Sequence, residues 1–141
     1  MSYQTIHTLL DTQLQTVVNL PTLQIENTRK AGSKTIKEWT RSTLIPSRTT
    51  IETLGPLGYN KKQGLYQIDV FYPEDTNYND TFLMSDTIIE KFTIGTNLSG
   101  VHIINSYMIP SQTTSGSIAV PGYFKTIVMV EWEYFETRLP L

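Results

Sequence analysis

Few residues of this 141-residue chain stand where they could do chemistry. His7 and His102 have neither a carboxylate nor a second histidine at metal-ligand spacing, so both read as structural or surface side chains. Glu131 and Glu133 would work as an acid/base pair only inside a pocket that drives their proton affinities apart. At the charged end of a strand they read as solvated carboxylates. The run GPLGYNKK is like a phosphate cradle in composition alone, because a strand rather than a helix follows it. Lys37, Trp39 and Arg41 interleave cations with an aromatic ring, as single-strand nucleic-acid grooves do. One indole is a thin platform, and Trp39 is better placed within a sheet or at a subunit boundary. With no cysteine in the chain, thiolate metal sites, cysteine nucleophiles and disulfides are excluded. No catalytic set, metal or cofactor is expected.

The elements that must position these residues follow from spacing. Ile6, Leu9, Leu10, Leu14, Val17 and Val18 recur at three- and four-residue intervals, which predicts an amphipathic helix ending before Pro21. A short strand is expected over 23–26. Trp39, Arg41, Thr43 and Ile45 alternate with Glu38, Thr40, Ser42 and Leu44 in a strand over 38–45. A separate strand over 48–54 follows Pro46, which marks a bend or a sheet edge. The strand over 65–72 sets Tyr66, Ile68, Val70 and Tyr72 on one face. Asn77, three residues before Asp80, reads as the cap of a second helix running to about Lys91. Its apolar stripe is Phe82, Leu83, Met84, Ile88, Ile89 and Phe92, and Gly95 marks the exit. A strand over 101–109 carries Asn105 on its apolar side. The last strand, 123–135, has apolar residues on both faces near its middle, which places it centrally in the sheet.

Three polar segments join these elements: 27–37, the wide turn at 55–64 with Lys61 and Lys62 at its tip, and the Ser/Thr/Gly-rich stretch at 110–122. Arg29, Lys30, Lys34, Lys37, Arg41 and Arg48 form a local basic cluster in a chain whose 13 acidic and 11 basic residues leave a net charge of -2. That balance lacks the global basic excess of a sequence-independent DNA binder. Neither a secretory signal nor a membrane span is evident in the sequence, so synthesis in the cytoplasm is the simplest reading. Threonine occurs 21 times, a load that suits strands and caps over long helices. The fold expected is α+β: one domain over 1–141 with a single mixed or antiparallel β-sheet and two helices packed on one face.

The opening MSYQTIHTLLDTQL, the TLGPLGY turn, the GLYQIDVFYP strand with the helix after it, and the closing VMVEWEYF strand together resemble the bacteriophage tail terminator, or tail completion, proteins of long-tailed phages. The resemblance implies a virion protein of the tail or neck, made in the host cytoplasm. It would form a homo-hexameric ring, dock on the last ring of tail tube protein, halt tube polymerisation and offer the surface that joins the head-completion or connector protein. DNA would be passing cargo. A head-completion or stopper ring of the neck is the alternative, with a small enzyme acting through Glu131 or His102 a distant third. Under the first reading, ring or tube contacts fall to Arg29, Lys30, Lys34, Lys37, Trp39, Tyr59, Lys61, Lys62, Ser111, Thr113, Ile118 and Val120. Glu131, Glu133 and Glu136 would face the channel and repel phosphates. The terminal ETRLPL, with Leu139 and Leu141, is a further candidate for docking on a partner.

Overall fold

Ser2 starts the first helix by accepting a hydrogen bond from the Thr5 amide at 3.2 Å, satisfying one of the amides that a helix start leaves unpaired. The helix, α1 (Tyr3–Leu14), buries Ile6, Leu10 and Leu14, spaced four apart on one face. Val17 follows them into the core. Val18, expected on the same stripe, is 70% exposed because the helix has ended and the chain turns through Asn19, whose φ is +60°. The computed structural model describes residues 2–25, 38–51, 58–73, 78–109 and 123–137.

Six strands follow: β1 (Thr22–Ile25), β2 (Trp39–Ile51), β3 (Tyr59–Pro73), β4 (Asn97–Leu98), β5 (Val101–Ile109) and β6 (Tyr123–Thr137), with α2 (Tyr78–Lys91) between β3 and β4. They form one sheet in the order β1-β2-β3-β6-β5-β4. β1 runs parallel to β2, and every other pairing is antiparallel. Both helices pack on one face, so the expected α+β class, the mixed sheet and the central place of β6 hold. Tyr66, Ile68 and Val70 of β3 and Val128, Val130 and Trp132 of β6 meet the buried files of α1 and of α2, where Met84, Ile88 and Phe92 point inward. Each such side chain taken from water contributes about 1.5–3 kcal/mol. Leu83, expected in the α2 stripe, is 64% exposed, since it lies on the side away from that file.

Several boundaries differ from expectation. β2 does not break at Pro46; it continues as one strand, with a register shift between Pro46 and Arg48 that absorbs the missing amide. Its core side is the polar-looking one, with Thr40 and Ser42 buried, while Trp39 and Arg41 stand on the side without helices. Residues 59–64 are no turn tip: they are the first rungs of β3, pairing with β6 throughout and with β2 from Asn60 onward. The β4 strand was not anticipated, and Asn105 sits beside a register shift in β5 after Ile103, which explains the break in its alternation. Gly95 does mark the helix exit, at φ +92°. The Asn77 cap and the connections at 27–37 and 110–122 lie outside the described residues.

Gly64 shows how tightly the central ladder closes. It stands opposite Pro46 on one side and Trp132 on the other, and an added Cβ would lie 2.6 Å from the Ile45 carbonyl oxygen and 2.8 Å from the Trp132 ring. Trp132 is fully buried and receives the Tyr3 ring edge-on, with centroids 6.4 Å apart. A Gly64→Ala substitution should therefore cost about 1–3 kcal/mol of stability by overpacking. Urea unfolding would check it, and an unchanged midpoint would show that the indole moves aside freely.

Candidate functional site

On the side of the sheet opposite the helices, neighbouring rungs of β2, β3 and β6 bring together Trp39, Arg41, Gln67, Asp69, Phe71 and Lys125. Asp69 is 1% exposed, and both its oxygens are engaged. Oδ2 accepts from Arg41 Nε at 3.1 Å and Nη2 at 2.9 Å, while Oδ1 accepts from Gln67 Nε2 at 2.9 Å. The Lys125 ammonium lies 3.9 Å from Oδ1. Trp39 and Phe71 stack at 4.1 Å, nearly parallel, and the Arg41 guanidinium sits 5.4 Å from the Phe71 ring centre and 6.0 Å from that of Trp39. Burial pulls the Lys125 ammonium below its ordinary value; Asp69 opposes this and Arg41 adds to it. The cluster has two cations for one carboxylate, and its aromatic pair and ion pair hold three strands together.

A second polar cluster lies under α1. His7 Nε2 is 3.3 Å from Ser42 Oγ and 3.4 Å from Asp11 Oδ2, and the Tyr66 hydroxyl donates to Asp11 Oδ1. The residue types are those of a Ser-His-Asp triad, but the geometry is not. A triad needs the acid on one ring nitrogen and the nucleophile on the other, whereas here both sit at Nε2. Ser42 is also 1% exposed, out of reach of a substrate. The cluster pins α1 to β2 and β3. Sequence reasoning missed it, although the signal was there: Asp11 lies one helical turn after His7, so the expectation of no carboxylate beside that histidine is corrected. Burial first, and then the charge and hydrogen bond of Asp11, raise the Tyr66 hydroxyl well above its ordinary value of 10.0.

The residues singled out from sequence are dispersed. Trp39 is half-buried in the stack just described. Tyr59 is 49% exposed at the start of β3. Lys61 and Lys62, expected at a turn tip, lie within β3, with Lys62 3.2 Å from Glu136 and 5.0 Å from the centre of the Tyr3 ring. Glu131 and Glu133 share the helix-free face, level with Leu65 and Gln63. Glu136 does not join them: it alternates with Glu133 and Phe135 onto the helix side, where Lys62 meets it. Burial by itself would raise the Glu136 carboxyl, but the positive charge beside it, that of Lys62 included, holds it below the usual carboxylate value. His102 stands level with Glu133 and meets the Phe135 ring edge-on. Arg29, Lys30, Lys34, Lys37, Ser111, Thr113, Ile118 and Val120 lie outside the described residues. Among the described residues no group of three or more His, Asp or Glu side chains could hold a metal ion, and no helix is long and apolar enough to cross a membrane.

One polar cluster ties α1 to the sheet and the other ties three strands together on the opposite face of an α+β fold. The family model for phage tail terminator proteins matches residues 5–132, and the chain belongs to that family. It is thus a structural protein of the phage tail and a component of the virion. A solved structure whose name carries no function shares the fold, with a TM-score of 0.63 over 95% of this chain and 96% of its own, at 13% identity. Comparison with curated proteins gives no match.

Two outcomes are expected from these clusters. Asp69→Ala, which leaves Arg41 and Lys125 without their acceptor, should lower stability by about 1–3 kcal/mol, the partial exposure of Arg41 moderating the loss expected of a fully buried pair. Because Tyr66 is raised in the folded state, its contribution is complete below pH 10 and is lost as pH climbs beyond it, where the unfolded chain ionises first. Unfolding midpoints measured from pH 8 to 11 should fall less steeply in Tyr66→Phe than in the unchanged protein.

Proposed function

We propose that the chain assembles into a homo-hexameric ring that docks on the last ring of tail tube protein, stops tube polymerisation, and presents the surface to which a head-completion or connector protein joins. The observation that carries this reading is the family match over residues 5–132, which takes in most of α1, all of α2 and all but the last rungs of the sheet. A subunit that works by contact needs faces rather than a cleft, and among the described residues both helices lie on one face of this sheet and leave the other to its strands. Tyr59, Lys61 and Lys62, at the start of β3, and the connections at 27–37 and 110–122 supply contacts to neighbouring subunits or adjoining rings. DNA passes as cargo. Glu131 and Glu133, on the helix-free face, repel its phosphates where that face lines the channel; Glu136, held by Lys62, takes no part.

Electron microscopy with native mass determination tests this reading, on the protein alone and mixed with its tail tube protein. The expected result is a ring of about 97 kDa, six copies of a 16.1 kDa chain, or tubes capped at one end and limited in length. A monomer that neither caps nor shortens tubes, but binds the portal or connector, would move the protein to the head side of the neck. Reversing the charges of Lys30, Lys34 and Lys37 together should lower the fraction of capped tubes; an unchanged fraction would remove the 27–37 segment from the contact.

A further inference from the structure

The outer strands of the sheet are shorter than the strands they cover. β1 lies beside residues 39–42 of β2 alone, and β4 beside Val101 and His102 of β5, with Ile103 adding backbone bonds to Gly95 and Thr96. Beyond those caps, and among the described residues, the backbone of 43–46 in β2 pairs only with β3, and that of 105–109 in β5 only with β6. An open strand edge of this kind is a row of amide and carbonyl groups that can template another strand.

The two edges match each other in three ways. Thr43 continues across Gln67 and Met129 to Tyr107, and Ile45 across Leu65 and Glu131 to Asn105, so 43–45 and 105–107 stand level on opposite sides of the sheet, while Met108 and Ile109 are level with Ser42 and Arg41, which β1 covers. β2, β3, β6 and β5 alternate in direction, so copies turned about an axis along the strands bring β5 of one beside β2 of the next in antiparallel sense, which permits straight ladder hydrogen bonds. The side chains agree as well. Ile45, Ile104 and Tyr107, at 37%, 42% and 40% exposure, all stand on these edges, and residues 104–109 carry none of the charges that proteins use to blunt an edge.

We propose, resting on the ring reading above, that residues 43–46 of β2 pair antiparallel with residues 104–107 of β5 in the next copy of this chain. Each copy offers one edge and receives the other, a head-to-tail contact of the kind that closes into a ring. Pro46 and the register shift after it end the ladder, limiting the contact to a short stretch that must be repeated around the ring to hold.

The absence of cysteine makes the test direct. Double variants combining Thr43→Cys or Ile45→Cys with Asn105→Cys, Tyr107→Cys or Ile109→Cys would be oxidised and run on non-reducing denaturing gels, with native mass measured beforehand. Within one copy the two positions are three strand spacings, about 14 Å, apart, too far for a disulfide, so any covalent bond reports a neighbour. The expected result is a ladder of covalent species up to six times the monomer mass for the combination in register. Leu83→Cys paired with Tyr107→Cys should remain monomeric on the same gel. Rings by native mass with no cross-link in any combination would overturn the edge contact and leave the ring standing. A monomer by native mass, with tube protein present, would overturn the ring itself.

Discussion

The ladder between β3 and β6, fifteen residues on each strand, is the constraint on which the rest of the structure depends. Its helix side presents Tyr66, Ile68 and Val70 beside Val128, Val130 and Trp132, and both helices take their seats there. Its other side presents Asp69 and Phe71 beside Lys125, and β2 is locked to it by the Arg41 ion pair and the Trp39 ring. Gly64 lets the two strands and β2 close around the Trp132 indole, a fit that no larger residue shares. Without this ladder neither helix has a surface to cover.

β3 carries a buried polar anchor on each face. Tyr66 reaches inward to Asp11 of α1, and Asp69 reaches outward to Arg41 and Gln67. Neither anchor adds much net stability over an apolar pair of the same shape, because removing charges and hydroxyls from water offsets most of the attraction. Their effect is directional: a hydrogen bond to one oxygen fixes register and helix position where apolar contact alone would permit sliding.

The same economy explains why residues that look catalytic are not arranged to react. His7, Ser42 and Asp11 meet in a buried seam with one ring nitrogen shared, and Asp69 has both oxygens occupied. Among the described residues, the fold leaves backbone unpaired along parts of β2 and β5, and a wide face bearing Glu131 and Glu133. The family to which the chain belongs is a structural one of the phage tail.

By itself the sequence determined both helices, the core face of β3, the central position of β6 and the Gly95 exit, because periodicity in apolar residues is a direct record of which side chains share a buried face. Its motifs also pointed to the family. Periodicity does not say which face of a mixed strand turns inward, so the burial of Thr40 and Ser42 on the helix side, and the turn of Trp39 and Arg41 to the other, were settled by tertiary contacts. Nor does it register backbone pairing. Residues 60–64 look like a turn because they are polar and hold a glycine, yet they are strand because β2 and β6 both offer them hydrogen-bonding partners. Pro46 looks like a break but is tolerated at an edge where a register shift takes up its missing amide. The side of the sheet on which Glu136 lies and the union of Asp69 with cations from two neighbouring strands follow from strand order and register, which no local pattern encodes.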